Sequence, residues 1–499
     1  MKDLIIEKYS RKSLNLYLNA NLVLFFLLLS ILLLTSITPQ RDIYLAVISF
    51  FSLILIHSNK WLYLFNIYFL IICNAFIIHI YMTWGVARDY TSIISTVSNT
   101  NPNEILGYTK ILTPESIILP LLYILIAVIL VFFAVKSSCN VKLKKYPRVV
   151  VLIFISSCIY FVKDYLISTA PYEIIFDFAK DSDKKLIERN NLIATIKNNK
   201  NSDAKHTDFN AKIILVLGES ASRKYFQTYG YYKDTTPFLS KEKNLIKING
   251  IAGANVTELS VPMILTKATP SRFNEFYTNE SIISYVEKYG FDTFWISNQE
   301  YTSPVLSNVG SIASEAKQKK FLTPGLADSD LAILSEFKSV IDRNGKVFAI
   351  FHLMGSHAFY KRRIPKDFDV SFETGDSVLY DYEKSIAVTD FLLKEMVKSL
   401  GGDDLLIYLS DHGEFISSQR HGHGFSHPYL DEVEVPYLFY SSNRKYFDEN
   451  FFNFQCLESI FYLPDVISGI LTGRKPLNFD CDNNIMTHNG VININEVKD

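Results

Sequence analysis

"KIILVLGES", residues 212–220, decides how the second half of this chain folds. Its apolar run carries no polar interruption, is too short for an ordinary helix, and stops at a glycine followed by an acid. A run of that kind is what a strand covered on both faces requires. Four more stretches share the pattern: "FDTFWIS" (291–297), "VFAIFHL" (347–353), "DLLIYLS" (404–410) and "VPYLFYS" (435–441). Between them, "ESIISYVEKYG" (280–290) and "YEKSIAVTDFLLKEMVKSLG" (382–401) have helical spacing and end in glycine. The expectation is an α/β domain built on a parallel sheet with helices on both faces. In such sheets ligands bind beyond the carboxyl ends of the strands.

Upstream the composition changes. The chain has 499 residues, 48% of them hydrophobic, with 37 Phe and 30 Tyr. Five apolar runs precede residue 170, at 22–35, 43–56, 61–82, 116–135 and 149–162. With their flanks they reach the ~20 residues a membrane crossing needs. Basic residues favour the N-terminal segment (Lys2, Lys8, Arg11, Lys12), Lys60, and the loop with Lys136, Lys142, Lys144, Lys145 and Arg148. That bias places the N-terminus in the cytoplasm and everything after about residue 170 outside. The expected organisation is a five-helix transmembrane domain over 1–170, an interfacial helix and linker over 171–210, and an external domain over 211–499. The spans hold almost no charge, which argues against a transporter. A net charge of −1 gives no nucleic-acid footprint. Of five cysteines only Cys456 and Cys481 share the polar half, so they are the one candidate disulfide, and spacing alone leaves their pairing open.

The residues after the strands are of metal-binding type. Glu219 follows the first, His352 and His357 the third, and Asp411, His412 and Glu414 the fourth. "RHGHGFSH" then supplies His421, His423 and His427. Singly each has a structural reading, as a cap, a turn or a surface loop. Together, carboxylates and imidazoles at three strand ends are hard to explain as packing, because buried charge is costly unless paired or metal-bound. Two carboxylates plus imidazole suit zinc, with manganese or another divalent ion also admitted. A metal there calls for a nucleophile. Thr257, in "NVTELSVPMIL" (255–265), opens an expected helix. Its structural reading is an N-cap, worth ~1 kcal/mol. Its catalytic reading needs a cation to activate a weak nucleophile.

In order and wording these segments resemble the membrane-bound phosphoethanolamine transferases that modify lipid A and other envelope glycans, within the alkaline phosphatase and sulfatase superfamily. "LVLGESASRKYFQTYGYYKDTTPFLS" is similar to that family's opening strand and loop, "TELSVPMIL" to its nucleophile segment, "HLMGSHAFYKRRIP" to its Gly-Ser-His stretch, and "YLSDHGE" to its metal-binding Asp-His. The resemblance implies a zinc ion held by Glu219, Thr257, Asp411 and His412, with a second ion left open, and Thr257 as the attacking group. It implies transfer of phosphoethanolamine from phosphatidylethanolamine to a glycan through a phospho-threonine, by a monomer in a bacterial inner membrane with its catalytic domain in the periplasm. His357 and one histidine of the 421–427 loop would bind the donor phosphate or a second zinc and assist proton transfer. His421 and His423 both suit the loop, and His423 is preferred. Asn298, in "WISNQ", is expected near the bound donor. A phosphoglycerol transferase or a phosphodiesterase of the same fold is the alternative. A sulfatase would need Cys or Ser followed by Pro and Arg, which "TELSVP" lacks.

Overall fold

The computed structural model describes Tyr68, Ile71, Ile72, Ala75, Ile78, His79, Phe372 and residues 114–138, 205–299, 307–322, 329–370, 377–417, 421–425, 427–446, 451–452, 456–475, 481–487 and 490–499. The chain divides into two compact units, Met1–Asp181 and Ser182–Asp499.

In the first unit one helix, Pro114–Ser138, contains the fourth expected span. Ser116, Tyr123 and Ala127 are buried along it, while Ile118, Leu121, Leu122 and Leu125 are exposed. The Ser116 carbonyl meets His79 Nδ1 at 2.7 Å. The described side chains of this helix run from Pro114 to Ile129, and among the described residues no helix is long and apolar enough to cross a membrane. The first, second and fifth expected spans, most of the third, and the expected linker to residue 204 lie outside the described residues.

Among the described residues the second unit is built on a seven-stranded sheet and two two-stranded pairs. β1 (Ile213–Gly218), β2 (Leu245–Ile251), β3 (Asp292–Ser297), β4 (Gln318–Phe321), β5 (Val347–His352), β6 (Leu405–Ser410) and β9 (Glu434–Tyr440) form one sheet in the order β2-β9-β6-β1-β5-β3-β4. β7 (Phe415–Ile416) and β8 (His421–Gly422) pair with each other, as do β10 (Asn484–Thr487) and β11 (Gly490–Asn493). All five strands expected from the sequence are present. β1, β5 and β6 are buried at every position, and alternate side chains enter two cores. Leu215, Leu217, Ile407 and Leu409 pack with Ile264, Phe276 and Phe461 on one face. Ile214, Val216, Leu406 and Tyr408 pack with Phe226, Phe337, Tyr382 and Ile386 on the other. Each such buried side chain contributes ~2 kcal/mol, so the sheet is clamped from both sides.

The sheet is not wholly parallel. β9 runs antiparallel to β6, and β2 antiparallel to β9. β2 and β4 have partly exposed faces. Lys247, Lys319 and Lys320 occupy these two outer strands, which protects the sheet edges and also breaks up any apolar run. The long helix spans Val378–Val397, starting earlier than its periodicity suggests because Ser377 caps it by accepting from the Tyr380 N–H at 3.1 Å. Cys456 and Cys481 form a disulfide.

Register positions the site. Leu217 lies beside His352, Gly218 beside Ser410, and Ser297 beside His352. Four parallel strands therefore end together, and the residues that follow them share one edge.

Candidate metal centre

Glu219, the first residue beyond β1, is buried, as are Asp411 and His412 just beyond β6. One ligand atom from each lies within 4.8 Å of the others. The chain turns sharply after Glu219, because Ser220 adopts a left-handed φ of 56°. That conformation is uncommon for serine and is held by its surroundings. Its carbonyl accepts from the buried Tyr382 hydroxyl at 2.8 Å, and the same hydroxyl accepts from the Ser222 N–H at 2.8 Å. Gly355, at φ 52°, packs directly on this turn; a Cβ there would lie 2.5 Å from the Glu219 carbonyl oxygen. The Ser356 N–H donates to that oxygen at 2.9 Å.

Thr257 is the first residue of the helix Thr257–Leu265, and it is not the cap. Val256 holds the cap position with extended angles, and no side chain caps the helix. The hydroxyl is thereby left to the cluster. It donates to Glu219 Oε2 at 2.9 Å and lies 3.2 Å from His412 Nε2. Pro262 sits inside this helix and frees the carbonyl of Glu258, four residues back. Asn308 Nδ2 donates to that carbonyl at 2.9 Å, so the carbonyl freed by the proline is satisfied.

His412 Nε2 stands 3.1 Å from Glu219 Oε1 and 3.6 Å from Asp411 Oδ2. Its Nδ1 meets the Gly413 carbonyl at 2.9 Å, which fixes the ring and turns Nε2 toward the acids. Burial resists ionising Glu219, yet His412, with His357 and His423 behind it, holds the carboxyl well below its usual range. Burial and then the Glu219 charge push Asp411 up to about 7. Burial works against a charge on His412, but Asp411 and Glu219 outweigh it and raise the imidazole to about 10. Asp411 Oδ2 is buried with no hydrogen-bond partner. Two buried acids, one with an orphaned oxygen, and a buried imidazole could hold a divalent cation, and nitrogen with carboxylate oxygen suits zinc.

The remaining residues fall into place around this cluster. His423 Nδ1 is 2.6 Å from Glu414 Oε2, and the buried Tyr360 hydroxyl donates to Glu414 Oε1 at 2.5 Å. The His423 ring lies 4.2 Å from that of His412 and 5.8 Å from that of His357. His421 lies in β8 with its ring 5.9 Å from Tyr360, and His427 is exposed. The amide nitrogen of Asn298 donates to Asp330 Oδ1 at 2.8 Å, and Asp330 also takes the N–H groups of Met354 and Gly355. Asn298 thus braces the turn after β5. Its neighbour Gln299 reaches the cluster instead, donating to Glu219 Oε2 at 3.0 Å. Sequence reasoning missed Gln299 and gave no role to Tyr360, and no periodicity marks either; standing directly after a strand is the one signal Gln299 carries.

Residues 211–446 match the family model described as Sulfatase. Phosphoethanolamine transferase EptC of Escherichia coli O18:K1:H7 is 26% identical over 289 residues, 52% of this chain and 49% of the relative, so the chain spans about half the length of that curated relative. The zinc complex of the C-terminal periplasmic domain of EcEptC from Escherichia coli superposes with a TM-score of 0.51 at 21% identity, covering 58% of this chain and 94% of that domain. The integral membrane protein lipooligosaccharide phosphoethanolamine transferase A (EptA) from Neisseria meningitidis superposes at 0.58 with 15% identity, covering 93% of this chain and 95% of that one. These likenesses establish the fold of the second unit. Over residues 211–446, a little under half of its length, the chain is similar to the Sulfatase family.

Proposed function

We propose that this chain is a zinc-dependent phosphoethanolamine transferase. The observation that carries the reading is the Thr257 hydroxyl, set at a helix N-terminus and within hydrogen-bond reach of both Glu219 and His412. Glu219, Asp411, His412 and Thr257 would hold one zinc ion. A bound zinc stabilises an alkoxide and the charge of a phosphoryl group in flight. Thr257 Oγ1 attacks the phosphorus of phosphatidylethanolamine, the bond to the diacylglycerol oxygen breaks, and diacylglycerol leaves as the alcohol with a proton. A hydroxyl or phosphate oxygen of an envelope glycan then attacks the phospho-threonine, and Thr257 recovers its proton. The helix amino end favours the negative charge that Oγ1 carries as it attacks and again as it leaves. His423, oriented by Glu414, and His357 handle the donor phosphate and the protons. Similarity to the phosphoethanolamine transferase EptC and to the lipooligosaccharide phosphoethanolamine transferase EptA supports the donor headgroup and the kind of acceptor.

The same reading assigns residues 1–170 to five crossings of a bacterial inner membrane, 171–210 to an interfacial linker, and 211–499 to a monomeric catalytic domain in the periplasm. Similarity to the periplasmic domain of EcEptC and to the integral membrane protein EptA supports it.

Intact mass of the full chain after incubation with phosphatidylethanolamine and zinc, followed by peptide mapping, tests the function. A phosphoethanolamine adduct on Thr257, absent in Thr257→Ala, is the expected result. An adduct formed only from phosphatidylglycerol moves the assignment to phosphoglycerol transfer. Full turnover by Thr257→Ala removes Thr257 as the nucleophile.

A further inference from the structure

Glu219 is held by four groups. Its Oε1 accepts from the Ser220 hydroxyl at 2.8 Å and faces His412 Nε2, while its Oε2 accepts from Thr257 and from Gln299 Nε2. Gln299 Nε2 also donates to the Leu353 carbonyl at 2.9 Å. Both partners of that amide nitrogen are pure acceptors, so the orientation of the amide is fixed by chemistry. One side chain thus ties the ends of three neighbouring strands, β1 through Glu219, β3 through its own backbone, and β5 through Leu353.

The contact matters most in the reactive state. On the proposed mechanism Thr257 loses its proton, and with it the hydrogen bond to Glu219 Oε2. Among the side-chain hydrogen bonds to Oε2, only the one from Gln299 survives that change. Without it the carboxylate is held through Oε1 alone, by Ser220 and His412, and its last torsion, broad and two-fold, is less tightly fixed.

We propose that Gln299 is the positioning residue for the metal-ligating carboxylate, fixing through one amide nitrogen the orientation in which Glu219 faces Asp411 and His412. The inference rests on the metal-centre reading above, and its test uses no lipid, so it stands or falls apart from the transferase assignment. Outer residues of this kind tune metal affinity by ~10–100-fold.

The test compares the full chain with Gln299→Met, which keeps the length and removes the donor. Zinc affinity is measured by competition with a chelator, and melting is followed with and without added zinc. The expected result is a 10–100-fold weaker zinc affinity, a nearly unchanged melting temperature without zinc, and a smaller rise on adding it. A zinc affinity within threefold of the parent overturns the proposal. So does an equal drop in melting temperature with and without zinc, because that marks a purely structural tie to Leu353. Should the Met variant not fold, Gln299→Asn, which keeps the amide but cannot span both acceptors, is read by the same criteria.

Discussion

Gly355→Ala tests whether the turn after β5 sets the position of the metal centre. The new methyl group would lie 2.5 Å from the Glu219 carbonyl oxygen and 2.7 Å from its nitrogen. Ordinary contact distances are ~3.5 Å, so the turn has to retreat by about 1 Å. Alanine in a left-handed conformation costs a further ~1–2 kcal/mol. The Ser356 N–H bond to the same carbonyl, 2.9 Å long, stretches with the turn and takes with it ~1 kcal/mol. Together these give a loss of about 2–4 kcal/mol, or roughly 5–10 °C of melting temperature for a domain of this size. The consequence for turnover is larger, because the retreating segment carries His357. A displacement near 1 Å costs about 100-fold in a positioned reaction. Asp411 and His412 hang from β6 and keep their places, so zinc content should fall less than turnover. The assay is transfer from labelled phosphatidylethanolamine beside metal analysis and a thermal melt on the same preparation. Parent-like melting and turnover would show that the turn yields freely, and the argument from close packing would be wrong.

Two further outcomes follow from groups outside the centre. Burial pushes the Glu315 carboxyl up to about 7, against the Ser281 and Ser284 hydroxyls that donate to it. A raised folded value in an acid means that its stabilising contribution is full below about 4.5 and is lost as pH rises through about 7, a change of about 3 kcal/mol. Glu315→Gln should therefore flatten melting temperature against pH between 4.5 and 8, and an unchanged slope refutes the assignment. The Cys456–Cys481 bond closes a separation of 25 residues, worth ~3 kcal/mol in the chain-entropy account. The same two segments support the backbone leading to Thr257, through Ile251 N–H to the Glu458 carbonyl at 2.7 Å and Met486 N–H to the Gly253 carbonyl at 2.8 Å. Cys456→Ala with Cys481→Ala should lower both melting temperature and transfer, and a double variant with parental melting would contradict it.

What could be read from the sequence divides along a physical line. Strand existence was legible because β1, β5 and β6 are covered on both faces, so their apolar runs are continuous. β2 and β4 were not, since outer strands alternate or carry lysine and lose that mark. The strand-end acids and imidazoles were legible for the same reason as the strands: parallel register aligns carboxyl ends, so residue type plus position after a run implies proximity. Side-chain direction beyond the last paired residue follows no period. Asn298 and Gln299 differ by one position, and the sequence favoured Asn298, yet Asn298 turns to Asp330 and Gln299 to Glu219. The cap position is decided one residue before Thr257, by the extended angles of Val256, which no spacing rule reveals. The bend that follows Glu219 depends on a serine at φ 56°, where glycine would have signalled it. The residues that aim the chemistry are therefore the hardest to find in a sequence, because their conformations are imposed by neighbours such as Tyr382 and Gly355 rather than by their own preferences.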